Sequence, residues 1–109
     1  MSNHQALEYL QEEQFEKFNT LVQAAGGQVD LSGVHLRSHN LRKCNLTKAN
    51  LAGAYMRSAD LRGLDLSEAN LEGATIKEAR VSGALFPRDL SAQEIQMSLK
   101  YGTRLRHGL

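Results

Sequence analysis

The residues able to do chemistry are few. Four histidines, His4, His35, His39 and His107, and one cysteine, Cys44, are the candidate metal ligands and nucleophiles. His35 and His39 stand four apart, but the local pattern described below sends them to opposite sides of the chain, so no paired metal site is expected. Cys44 falls on the inner side, where a thiol serves as a small apolar filler. A reactive thiol needs exposure and a nearby cation. Asp60 and Asp65 are the nearest approach to a carboxylate dyad. They fall on different faces and read as turn-forming groups. No serine lies in a nucleophile-elbow context, and the glycines fall on a regular five-residue lattice, unlike a phosphate loop or dinucleotide fingerprint. No catalytic constellation, metal or cofactor is expected, and the chain reads as a non-enzyme. What remains is charge. Arg37, Arg57 and Lys77 recur at twenty residues, as do Arg42 and Arg62, with His35 and Tyr55 beside the first column. Cations stacked about 5 Å apart repel by roughly 1 kcal/mol per pair before screening. A sequence that keeps them suggests recognition of an anion.

The element that positions these side chains is a repeat. From Leu31 to Phe86 every fifth residue is apolar, twelve positions in an unbroken series, eight of them Leu. Two residues before each lies a smaller column, Val29, Val34, His39, Cys44, Ala49 and onward to Ala84. Between the two columns Asp or Asn stands at seven places: Asp30, Asn40, Asn45, Asn50, Asp60, Asp65 and Asn70. A period of five fits neither helix nor strand alone. Three extended residues alternate in, out, in, which puts the Ala and Leu columns inside and the Asp/Asn column outside. The other two residues must turn the chain, and Gly at 33, 53, 63, 73 and 83 suits a turn with positive φ. The twenty-residue recurrences make four such units one coil. Residues 29–88 then form three coils of a square solenoid, joined by strand-like hydrogen bonds.

The run with Ala-Asn-Leu-Ala-Gly at 49–53, Ala-Asp-Leu-Arg-Gly at 59–63 and Ala-Asn-Leu-Glu-Gly at 69–73 closely resembles the pentapeptide-repeat proteins. The resemblance implies an all-β solenoid, a right-handed quadrilateral β-helix. It carries no function, because a fold does not assign chemistry. Some members of that family act as DNA mimics that bind DNA gyrase. Those look long and acidic along the solenoid, whereas this repeat holds nine Lys and Arg against six Asp and Glu.

The flanks read as caps, and residues 1–109 as one domain. Residues 3–25 are expected to form one helix with Leu7, Leu10, Phe18, Leu21, Val22 and Ala25 on its apolar stripe. Ser2 or Asn3 caps its start, and Gly26-Gly27 stops it. After Phe86-Pro87, Ser91-Ala92-Gln93-Glu94 reads as a capping box opening a short helix within 91–102, with Leu90 and Ile95 as a staple. The basic tail 103–109 is expected to be mobile.

The whole chain of 109 residues carries a formal charge of +1, which disfavours both a strongly basic nucleic-acid binder and an acidic mimic. Aromatics are 6% and Trp is absent, so small aliphatic side chains must fill the core. A single cysteine, no apolar leader and no spanning segment suggest a soluble, cytoplasmic chain. Residues 1–28 carry −3 and residues 29–88 carry +3. The expectation is a non-enzymatic interaction or scaffold module. Its candidate partner-binding edge is Arg37, Arg42, Arg57, Arg62, Lys77, Tyr55 and His35. The partner is expected to be a protein, with nucleic acid or an anionic surface as alternatives. The sequence leaves the oligomeric state open.

Overall fold

The computed structural model describes residues 4–108. Three helices flank the repeat: α1 (His4–Gln11), α2 (Phe15–Ala24) and α3 (Ala92–Tyr101). The all-β solenoid expected from the repeat, a right-handed quadrilateral β-helix, is overturned. Among the described residues there is no strand and no sheet, only seven isolated parallel bridges. The reason lies in the period. In each five-residue unit two residues make a turn, and a backbone bond from the N–H of the inner small residue to the carbonyl three residues earlier closes it, from Val34→Leu31 to Ala84→Val81. At most one bridging residue is left per unit, Asn45 making no bridge at all, and a ladder needs consecutive pairs.

The bridges nevertheless fix the register. Each joins residues twenty apart, as in Asp30 with Asn50, Tyr55 with Thr75 and Asp65 with Leu85. The chain therefore makes a circuit of four turns and returns above itself. The seven Asp and Asn residues have a common task. Each side chain accepts the backbone N–H two residues on, from Ser32 onto Asp30 to Glu72 onto Asn70. These Asx turns bend the chain at the corner. Gly53 (φ +68°) follows one of them, and Ser38 and Ser58 adopt the same left-handed conformation without being glycine (φ 62° and 61°).

The core is the Leu column. Leu31, Leu36, Leu41, Leu46, Leu51, Met56, Leu61, Leu66, Leu71 and Ile76 are essentially fully buried, with Ala49, Ala54, Ala59 and Ala74 between them. Each fully buried Leu is worth roughly 2 kcal/mol of transfer free energy.

The single helix expected over 3–25 is two helices; residue 3 and the proposed caps Ser2 and Asn3 lie outside the described residues. Glu13 takes φ 58°, the Gln14 N–H bonds Tyr9 and the Glu13 N–H bonds Leu10. This is the Schellman arrangement that ends helices, made here without glycine. The same arrangement ends α2, with Gly26 as the left-handed residue. Ala6 and Leu10 of α1 and Phe18 and Val22 of α2 are buried in the same core cluster as the repeat. At the other end the Ser91 hydroxyl accepts the Glu94 N–H at 3.1 Å, and Gly102 (φ 74°) closes α3.

The tail is docked, contrary to the mobility expected of it; its last residue, Leu109, lies outside the described residues. Leu105 is fully buried, accepts from the Gly73 N–H and donates to the Ala74 carbonyl. His107 Nε2 accepts the Leu71 N–H at 3.0 Å, while Nδ1 faces Asp89 at 2.7 Å. The accepting nitrogen carries no proton, so Nδ1–H donates to Asp89.

Candidate functional site: a basic edge with an aromatic stack

The twenty-residue register sets the candidate residues in columns. Ser38 N–H bonds the Arg57 carbonyl and Ser58 N–H bonds the Lys77 carbonyl, so Arg37, Arg57 and Lys77 share one corner. Arg42 and Arg62 share the next. Tyr55 bridges His35 on one side and Thr75 on the other, on the face before the first corner. The His35 and Tyr55 rings stack with centroids 4.7 Å apart and planes 13° apart.

The cations in these columns are not equivalent. Arg57 pairs with Glu78 at 3.1 Å, both side chains being about half exposed. Arg62 is half-buried and grips Asp60 with Nε at 2.9 Å and Nη2 at 2.7 Å, while its own N–H bonds the same carboxylate. The Arg62 hydrogen bond holds the Asp60 carboxyl down at about 2. Lys77 is half-buried, its side chain lying against Gly102 at the end of α3. Arg37 and Arg42 are exposed, and among the described residues no carboxylate lies within ion-pair distance of either. Of the four arginines in these columns, the two without an ion pair among the described residues thus stand on the first circuit, near the exposed His35, while Lys77 on the last circuit makes none either.

One residue joins this face that sequence reading missed. Arg104, in the docked tail, lies over the Tyr55 ring with its guanidinium carbon 5.6 Å from the centroid. It donates to the Tyr55 hydroxyl at 3.0 Å and to the Gly73 carbonyl at 2.9 Å. The signal in the sequence was the alternation Thr103-Arg104-Leu105-Arg106-His107, which sends Leu105 inward and both arginines outward.

The other candidates settle into structural places. Cys44 is buried, and desolvation pushes its thiol up to about 12. Asp65 caps the turn at Ser67, whose hydrogen bonds hold its carboxyl below the usual range. His39 is half-buried and His35 exposed. Among the described residues no group of three His, Cys, Asp or Glu side chains is placed to hold a metal, and no helix is long and apolar enough to cross a membrane.

Against known families, the pentapeptide-repeat model matches this chain in eight copies, over residues 28–63 and 49–86. No curated protein and no solved structure matches it.

Proposed function

The chain belongs to the pentapeptide-repeat family, and from that premise we propose that it is a non-enzymatic interaction module holding an anionic protein partner on its basic edge. The observation that carries this reading is the exposure of Arg37 and Arg42 next to the His35–Tyr55 stack, neither held in an ion pair among the described residues and only Arg42 acting at longer range on a carboxylate, Asp60. A regular, rigid surface formed by stacked repeats suits binding in extended contact. Arg57 and Arg62 take a supporting part, because each is paired with a carboxylate within the fold, Arg57 on the corner of Arg37 and Arg62 on that of Arg42, while Lys77 packs its methylenes against Gly102 and adds its charge to the Arg37 corner. An acidic protein surface fits better than nucleic acid. Tyr55 already has His35 and Arg104 against it, which blocks a stacking platform for bases.

The test is a pull-down from lysate of the source organism with the parent beside an Arg37→Glu/Arg42→Glu variant of confirmed folding, at low and moderate salt. Nucleic acid in the eluates is stained. The expected result is an acidic protein held by the parent, released by salt and lost from the variant. Identical eluates would overturn the reading, and nucleic acid as the retained species would replace the partner class.

A further inference from the structure

Arg104 differs from the other tail arginine in what its charge meets. Arg106 is answered by Glu94, which accepts from both its guanidinium at 2.8 Å and its backbone N–H. Arg104 is held by two neutral acceptors, a phenol oxygen and a peptide carbonyl, and no carboxylate pairs with it among the described residues. A guanidinium presents five N–H donors. Two are engaged in fixing the fork, which leaves three donors on an exposed side chain that is already held in place. The Tyr55 hydroxyl accepts from Arg104 and keeps its own proton to donate. Fixing both groups before binding lowers the entropic cost of capturing a ligand.

The surroundings define what the ligand looks like. Arg104 lines a groove between α3 and the tail together with Gln93, Met97 and Thr103. Met97 is 40% exposed, an apolar wall beside the cationic fork. Glu94 also lines the groove, but it is engaged by Arg106, whose hydrogen bond keeps its carboxyl below the usual range. The charge left unanswered in the groove is therefore that of Arg104. Across Tyr55 and His35 it continues to the corner that carries Arg37.

We infer that the Arg104–Tyr55 fork is a carboxylate-binding site, and that the groove beside it takes an acidic segment of a protein partner. One Asp or Glu side chain lies on the Arg104 fork and an adjacent apolar side chain packs on Met97. The inference rests on the reading of the chain as an interaction module and names the chemistry of what it holds. A bidentate guanidinium–carboxylate pair supplies direction as well as attraction. The apolar contact distinguishes such a segment from a plain polyanion.

The test is fluorescence anisotropy of the full chain with a labelled peptide of alternating Asp and Leu. Its Asn-for-Asp counterpart and a DNA duplex of equal charge serve as comparison probes. The acidic peptide is expected to bind at low salt and the Asn peptide at least tenfold more weakly. Arg104→Gln should weaken the acidic peptide at least tenfold, Met97→Ala several-fold, and Tyr55→Phe several-fold by releasing the fork. Arg104→Lys keeps the charge and loses the fork, so it should fall between parent and Arg104→Gln. Circular dichroism of each variant checks that the fold survives. Unchanged binding by folded Arg104→Gln and Arg104→Lys would overturn the site. If those variants bind normally while Arg37→Glu/Arg42→Glu loses the peptide, the basic edge stands and the fork fails. If only the Arg104 variants lose it, the fork stands and the edge fails. Equal or tighter binding of DNA, or no binding of the acidic peptide by the parent, would also overturn the inference.

Discussion

Two side chains show how position governs reactivity here. Cys44 has its thiol sealed among core residues, and burial raises its ionisation to about 12. The thiolate is the nucleophile, so the native chain should leave a disulfide reagent such as DTNB unreacted for hours and consume one equivalent on unfolding in urea. Rapid reaction in native buffer would contradict the packing. Asp60 is the opposite case. The Arg62 fork depresses its carboxyl to about 2, below the ordinary value near 3.8. A depressed folded value adds stability that is fully present above the unfolded value and is lost as the pH falls through the folded one. Melting temperature should therefore decline between about pH 4 and pH 2. Arg62→Ala should reduce that slope, leaving the decline due to the remaining carboxylates such as Asp30 and Asp65, whose values turn hydrogen bonds also lower.

At the scale of elements, the helices and tail serve chiefly to answer backbone groups that the repeat leaves open at its ends. Within the repeat, Leu31 N–H bonds the Asn50 carbonyl and Gly53 N–H bonds that of Glu72, one circuit on. The last circuit has no successor. Its Leu71, Gly73, Ile76 and Glu78 N–H groups go to His107, Leu105, the Ser98 hydroxyl and the Leu99 carbonyl. At the first circuit Asn19 of α2 does similar work, accepting from Asn45 N–H at 2.7 Å and donating to the Lys43 carbonyl at 2.8 Å. Ser98 is fully buried, so Ser98→Ala strands the Ile76 N–H. It should cost about 1–3 kcal/mol in urea unfolding. Hydrogen exchange at Ile76 should accelerate more than at Met56, whose N–H keeps the Thr75 carbonyl. These end contacts were hidden in the sequence. Apolar periodicity reports which side chains face inward, and Ser98 and Asn19 carry none. The break at Glu13 was hidden because a left-handed stop there uses no glycine, while Gly26 announced the same stop openly. The strands expected from the in-out-in pattern fail for another reason. Alternation predicts the direction of side chains, and that direction is seen, but a ladder needs more than one bridging residue per unit.

At the scale of the molecule, one apolar column runs the length of the repeat and ends beneath helices or tail. Leu61 sits mid-column, flanked by Ala59 and by Leu41 and the half-buried Val81 of the neighbouring circuits. Leu61→Asp places an unpaired charge where no polar partner exists. It should destabilise by more than about 4 kcal/mol or prevent folding, read as loss of the cooperative unfolding transition. Arg57→Ala, by contrast, removes an exposed ion pair and should shift stability by less than about 1 kcal/mol. The basic columns were legible because the twenty-residue register is written in the sequence. Which of their arginines are paired was not, because Glu78 meets Arg57 and Asp60 is gripped by Arg62 only once the chain has turned.

The seven bridges at a constant separation of twenty residues also make the molecule a vernier. Copying residues 49–68 once more should separate the two ends by a further strand spacing, about 4.8 Å, at unchanged azimuth. A five-residue insertion should instead turn one end past the other by a single corner. The distance and bearing between the first-circuit arginines and the tail groove are thus adjustable in whole steps, by gain or loss of repeats, with no redesign of either surface.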